Sequence, residues 1–510
     1  MESGTRKITV MDTTLRDGEQ TSGVSFSDSE KLNIARLLLE ELQVDRLEIA
    51  SALVSRGEFD GAKKILDWAN AHGLGGKVEI LGFVDGDRSL KWIKEVGGQV
   101  INLLCKGSHK HCTQQLRKMP ETHLQNIKTV ISYAREMGIT VNVYLEDWSN
   151  GMRDKPEYVF QIVEGLKGEG VNRFMLPDTL GILNPDEAYD FCKQMMIRFP
   201  TLEFDFHAHN DYDFAAANVF SAIKAGVNCI HTTLNGLGER AGNVPLSSVI
   251  GVVRDHLKLE LSVNEKKLYS VCKIVESFSG VRIPANKPLI GEFVFTQTSG
   301  IHADGDNKNN LYFNDLVPER FNRKRRYALG KLAGKASIKK NLEELGIELD
   351  PDSLKKLTRK INELGDKKEV VTQQDLPYII ADVLESEEIQ QKIKIKNYNL
   401  SVAAGLRSVA TLSIAIDGKT YEETASGDGQ YDAFMNALWR IYDRLEKPYP
   451  KLIDYAVSIP PGGKTDALCQ TIITWDFKDK QFKTNGLDSD QAIAAIKATI
   501  KMLNLIETGK

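Results

Sequence analysis

From residue 7 to about 236 the chain alternates between two hydrophobic rhythms. Short runs rich in Val, Ile, Leu and Phe are followed by longer stretches with apolar residues at i, i+3, i+4 and i+7. The runs are ITVMD (8–12), RLEIAS (46–51), KVEILGFV (77–84), VINLLCK (100–106), TVNVYLE (140–146), RFMLPDT (173–179), EFDFHAH (203–209) and CIHTTLNG (229–236). Between them, segments such as SDSEKLNIARLLLEEL and ETHLQNIKTVISYAREMG begin on helix-capping residues and carry one apolar face. Eight strand and helix repeats in about 250 residues predict an α/β fold, a (β/α)8 barrel rather than an open doubly wound sheet. An open nucleotide-binding sheet would place a glycine-rich turn after its first strand, and TTLRDGEQ is not one.

The texture changes beyond the barrel, expected over 1–276. A loop-rich lid and linker is expected over 277–335, then a small helical subdomain over 336–390. From 391 to 510 strand patterns return. LSVAAGLRSVATLSIAIDGKTYEETASGDG and a helical QYDAFMNALWRIYDRLEK are echoed by a second strand-rich stretch and SDQAIAAIKATIKMLNLI. This predicts a C-terminal α+β domain of two βββα units, since one three-stranded unit alone leaves its apolar face bare.

A length of 510 residues suits two to four folding units, and 42% hydrophobic with 27% charged residues suits a soluble globular protein. The formal net charge of −4 argues against nucleic acid or anionic membrane as a partner and for small molecules. MESGTRKITV lacks an apolar targeting core, and no apolar run is long enough to span a membrane, so a cytoplasmic protein is expected. The six cysteines form no CxxC pair and are read as reduced, mostly buried thiols.

Candidate chemistry collects where the strands end. Arg16, Asp17, Glu146, Thr179, His207 and His209 fall at or just beyond the C-terminal ends of their strands, the face on which such barrels place catalysis. His207 and His209 stand two apart on one strand, so both rings share a face with Asp205. Two imidazoles with oxygens from Asp17 and from Asn243 in the loop NGLGERAGN suit a divalent ion, Mn, Zn, Co or Mg. Arg16 beside Asp17 is placed to stabilise negative charge on a carbonyl oxygen, although RDGE alone is a common surface tetrapeptide. PPGGK (460–464) lacks a following helix and is not a phosphate loop.

TTLRDGEQ, FDFHAHND and NGLGERAGN together resemble the signatures of the DRE-type metal-dependent barrel family, which joins isopropylmalate, citramalate and homocitrate synthases with hydroxymethylglutaryl-CoA lyases. TSGIHADG and the duplicated C-terminal unit resemble the isopropylmalate and citramalate branch. The resemblance implies a Claisen condensation of acetyl-CoA with a 2-oxo acid. It assigns metal binding to Asp17, His207, His209 and Asn243, charge stabilisation to Arg16, and the oxo-acid carboxylate to Thr179. His302 becomes the first candidate base with Glu146 assisting, while Asp304, Asn310 and Tyr312 join it as lid and acetyl-CoA residues in a homodimer.

Leu81, Leu104 and Tyr144, at the ends of strands three to five, line the family's pocket for the substrate's side chain. All are bulky and uncharged, which fits pyruvate and the citramalate branch; a second carboxylate would lack a cation. The alternative is 2-oxoisovalerate, the substrate of isopropylmalate synthesis. A bare-barrel lyase and a catalytically silent amino-acid sensor are weaker readings, given the long C-terminal extension and the intact metal set. The effector implied is the end product, isoleucine or, for the alternative, leucine, gripped near Tyr431, Asp432, Leu452 and Tyr455 at the junction of the repeated units.

Overall fold

Hydrophobic runs that read as strands do close into a barrel. In this computed structural model, which describes residues 6–508 except 307, 309, 367–370, 385–392, 459–468 and 479, eight parallel strands pair in chain order. They are β1 (Lys7–Asp12), β2 (Arg46–Ser51), β3 (Val78–Phe83), β4 (Val100–Lys106), β5 (Thr140–Glu146), β6 (Val171–Asp178), β7 (Phe204–Ala208) and β8 (Cys229–Thr232). β8 returns to β1, setting Met11 beside His231, and β1 also pairs with β2. Near-continuous apolar runs follow from burial on both faces, the outer face against helices and the inner face against the opposite wall.

Capping residues start the helices where expected. Ser27 and Glu30 form a reciprocal capping box on helix Asp28–Arg36, and Asn184 with Glu187 does the same on helix Pro185–Arg198. The eighth strand is shorter than its apolar pattern: it stops at Thr232, and Leu234–Gly236 turns as a 3-10 segment with Asn235 at φ 60°. A two-residue strand β9 (Glu260–Leu261) flanks β1.

The chain forms two compact units. One holds residues 1–295 and 314–324, the other 296–313 and 325–510. The stretch expected as a single linker therefore alternates between them. In the second unit β10 (Thr296–Gln297) pairs with β11 (Arg326–Tyr327), and helix Gly300–Asp306 follows β10. Helices Lys335–Glu344, Pro351–Asp366 and Leu376–Leu384 share a small core around Ile338, Leu357, Ile361 and Leu376.

Two βββα units complete the second unit. β12 (Ile393–Ser401), β13 (Ser408–Ile416) and β14 (Lys419–Gly427) form one antiparallel sheet, followed by helix Gln430–Arg444. β15 (Lys451–Ser458), β16 (Cys469–Phe477) and β17 (Lys480–Asp488) form the second, followed by helix Gln491–Thr508. Phe434, Tyr442, Ile473 and Trp475 lie in one core shared by both repeats, which is why neither half leaves an apolar face exposed. All six cysteines are buried and free. Among the described residues no helix is long and apolar enough to cross a membrane.

Candidate active site

Asp17, His207 and His209 converge at the C-terminal mouth of the barrel. His207 Nε2 lies 3.2 Å and His209 Nε2 3.7 Å from Asp17 Oδ2, and all three side chains are buried. Asp17 sits in the tight turn after β1, and the histidines come from β7 and its end. Asn243 reaches the same strand end through a bridge to His209. Its Nδ2 donates to the Leu237 carbonyl at 3.2 Å, which aims Oδ1 elsewhere.

The donor set has the marks of a cation site. Asp17 Oδ1, Asn243 Oδ1 and the Nδ1 atoms of His207 and His209 are buried without a hydrogen-bond partner. Burial pushes the Asp17 carboxyl up, but Arg16 and the two imidazoles outweigh it and hold the group well below the usual carboxylate range. Burial lowers both imidazoles, His209 to about 4 with help from His207, so both are neutral near pH 7 and have lone pairs for a ligand bond. The loop glycines permit this approach: a Cβ on Gly238, at φ +150°, would meet Asn243 Nδ2 at 2.2 Å.

Arg16 is held more tightly than its sequence context indicated. Its Nε donates to Glu48 Oε2 at 2.6 Å, one terminal nitrogen faces Asp17 at 3.2 Å, and the other faces Tyr144 Oη at 3.4 Å. Glu48 also accepts from Thr13 Oγ1 and Asn102 Nδ2, each at 2.8 Å. Below this layer a buried polar network continues around the barrel interior. Asn142 donates to Asn102 and Glu79; Glu79 pairs with Arg46; and Arg46 reaches Asp205, which pairs with His231. His231 Nδ1 meets Tyr144 Oη at 2.8 Å, closing the circuit back to Arg16. Asp205 therefore shares an inward face with His207 but is bound to Arg46, Arg173 and His231, away from the Asp17 group.

Leu81, Leu104 and Tyr144 meet in one small apolar cluster with Met11, Met175 and Cys229. The Tyr144 ring stands edge-on to His207, with centroids 6.0 Å apart, so this cluster borders the Asp17 and histidine group. Glu146 at the end of β5 forms an ion pair with Lys106 at the end of β4, a cation that sequence reasoning left out. Thr179 Oγ1 accepts from the Asp147 amide at 2.9 Å, and Arg240 donates to the Thr179 carbonyl at 2.8 Å.

The remaining candidates belong to the second unit. His302 lies on helix Gly300–Asp306 with its ring 4.2 Å from that of Tyr312. Tyr312 folds back over Gly305, where a Cβ would come within 2.4 Å of the ring. Asp304 pairs with Lys308 at 2.7 Å, and Asn310 turns the chain at φ 54°. In the repeated domain Tyr431 and Tyr455 rings lie 5.6 Å apart, with Tyr431 Oη 2.7 Å from Thr499 Oγ1. Asp432 accepts from the Asp428 amide, and Leu452 is exposed. PPGGK (460–464) lies outside the described residues.

An eight-stranded parallel barrel with a buried Asp-His-His cluster and a fixed arginine at its C-terminal mouth defines a barrel enzyme with a candidate metal centre. A family model described as HMGL-like matches residues 7–275, more than half of the chain, and the chain belongs to that family. A homocitrate synthase post-HMGL domain-like model matches 289–369, and a LeuA allosteric (dimerisation) domain matches 370–507. Over 98% of its length the chain is 31% identical to the (R)-citramalate synthase of Methanocaldococcus jannaschii, covering 99% of that protein. It is 30% identical to the 2-isopropylmalate synthase of the same organism, over 98% of this chain and 95% of that one.

Proposed function

We propose that this chain condenses the acetyl group of acetyl-CoA with pyruvate and hydrolyses the thioester, giving (R)-citramalate and free CoA, a step toward isoleucine. The observation that carries the reading is the pocket wall: Leu81, Leu104 and Tyr144 pack together over Met11 and Met175, beside Arg16 and His207. A wall of that bulk accepts a methyl group and crowds a branched one, and the buried or half-buried cations Arg16, Lys106, Arg46 and Arg173 are each already paired with a carboxylate.

Asp17, His207, His209 and Asn243 would hold the divalent ion, Mn, Zn, Co or Mg, which when bound supplies Lewis acidity toward the carboxylate and keto oxygen of the oxo acid. Arg16, fixed by Glu48, donates to the alkoxide as negative charge develops there. Thr179 receives a backbone N–H on its oxygen and so keeps its own proton for the substrate carboxylate. His302 takes a proton from the acetyl methyl, Glu146 assists while Lys106 holds it, and Asp304, Asn310 and Tyr312 contact acetyl-CoA. The carbanion forms the carbon–carbon bond to the keto carbon, and water then cleaves the thioester.

The 2-isopropylmalate synthase among the relatives supports a second reading, with 2-oxoisovalerate as substrate and leucine as end product. Free-thiol release from acetyl-CoA, run against pyruvate, 2-oxobutyrate and 2-oxoisovalerate, separates the two. Preference for 2-oxoisovalerate overturns the pyruvate assignment.

We also infer a cytoplasmic homodimer inhibited by isoleucine, supported by the LeuA domain match and by the paired Tyr431 and Tyr455 rings. Removing residues from 391 onward should abolish that inhibition. Inhibition that survives places the effector in the barrel.

A further inference from the structure

We propose that His231 is a positioning residue: by holding the Tyr144 hydroxyl it fixes the pocket wall and thereby selects the shortest oxo acid. The inference rests on the condensation reading above. His231 lies on β8, buried, with Nε2 3.1 Å from Asp205 Oδ2 and Nδ1 2.8 Å from Tyr144 Oη.

The chemistry of the partners fixes the direction of every proton in this chain. Asp205 is salt-bridged to Arg46 and Arg173, so it is an anion and only accepts. The imidazole proton must therefore sit on Nε2 and point at Asp205. Asp205 already has two arginine partners, so a neutral His231 ring suffices: with Nε2 committed to Asp205, Nδ1 is the acceptor that faces the Tyr144 hydroxyl at 2.8 Å. Tyr144 has one choice left: its O–H donates to Nδ1, and its lone pairs face the Arg16 guanidinium at 3.4 Å.

A phenol anchored in this way cannot tilt away from Leu81 and Leu104. Without the anchor, the ring has room to yield to a longer substrate chain, and the buried hydroxyl seeks another partner. His231 touches no proposed metal ligand by hydrogen bond; its ring centroid is 5.5 Å from that of His207.

Two isosteric halves of histidine separate the roles. Asparagine places an acceptor where Nδ1 was and abandons Asp205, whereas glutamine reaches Asp205 and leaves Tyr144 without its acceptor. His231→Gln should lower the ratio of kcat/KM for pyruvate over 2-oxobutyrate by about fivefold to tenfold, the effect of one net buried hydrogen bond. His231→Asn should stay within about twofold of wild type, and His231→Gln should add nothing in a Tyr144→Phe background. Equal losses in both variants, or an unchanged ratio in His231→Gln, overturn the proposal. A wild type that releases no CoA with any 2-oxo acid instead overturns the condensation reading. In that event the NMR signal of ring-labelled Tyr144, identified by its loss in Tyr144→Phe, decides: it should move in His231→Gln and stay in His231→Asn. A signal that stays in both overturns the positioning role.

Discussion

Replacing Glu48 by glutamine changes almost no volume but puts a hydrogen-bond donor where three donors already point. Arg16 Nε and Thr13 Oγ1 address one carboxylate oxygen at 2.6 and 2.8 Å, and Asn102 Nδ2 addresses the other at 2.8 Å. Asn102 cannot turn to help, because its Oδ1 already accepts from Asn142 at 2.9 Å, and the Asn142 oxygen accepts from Asn172 at 3.0 Å. One unmet buried hydrogen bond costs about 1–3 kcal/mol, and breaking a buried ion pair about 3–5 kcal/mol. Arg16 keeps Asp17 at 3.2 Å, so the lower end applies, and unfolding free energy should fall by about 3 kcal/mol. Loss of the fixed guanidinium should cut kcat/KM by about a hundredfold to a thousandfold. Urea denaturation reads the first, thiol release from acetyl-CoA the second, and metal content after dialysis shows whether Asp17 has been disturbed. Glu48→Asp, which keeps the charge one methylene further back, should recover part of both losses. A Glu48→Gln enzyme with wild-type denaturation midpoint and kcat/KM would refute the argument that Arg16 depends on this contact.

His209→Ala should lose bound divalent metal on dialysis and abolish turnover while leaving the circular dichroism of the barrel in place; retained metal at wild-type stoichiometry would remove His209 from the ligand set. Leu104→Ala should shift the ratio of kcat/KM toward longer oxo acids, by about tenfold to two-hundredfold per methylene admitted, without loss of metal. An unchanged ratio would mean that Leu104 does not meet the substrate. Burial raises the Asp12 carboxyl from 3.8 to about 7, against hydrogen bonds from Thr14 and Thr232 that pull it down. The folded protein thus holds a proton that the unfolded chain has released, so this contribution to stability is full at low pH and is lost as pH rises through the folded value. Between about pH 6 and about pH 8 the wild type should lose on the order of 1 kcal/mol that Asp12→Asn does not, in parallel urea titrations. Equal losses in the two proteins would place Asp12 in a wetter environment than the structure shows.

The barrel was legible because parallel strands buried on both faces write themselves as short apolar runs, and KITVMD or VINLLCK has no other convenient home. The Asp17, His207 and His209 convergence was legible because strand ends in such a barrel share one face. The support beneath it was not read. Glu48, Glu79, Asn102, Asn142 and Asp205 each occupy the second or third position of a strand, a repeated polar step inside apolar runs. Individually Glu48, Glu79, Asn102 and Asn142 each look like one outward-facing residue in an alternating strand, and Asp205, which shares a face with His207 and His209, showed no partner in the sequence. Only the closed sheet turns them all inward, where they must find one another. Lys106 was missed for a simpler reason: a lysine ending a strand is ordinary until its partner, forty residues on, is seen beside it.

The assignment of residues to the two units has a bearing on control. The segment 296–313, which carries His302, Asn310 and Tyr312, clusters with residues 325–510, although it is bounded on both sides by chain that belongs to the barrel. The backbone therefore passes between the units three times, after residues 295, 313 and 324. The proposed base is then a built-in part of the body that bears Tyr431 and Tyr455, not an appendage of the barrel awaiting a message from it. On the proposed function, a small molecule bound by the repeated domain would act on the body that carries His302, Asn310 and Tyr312, while the charged network inside the barrel lies in the other unit.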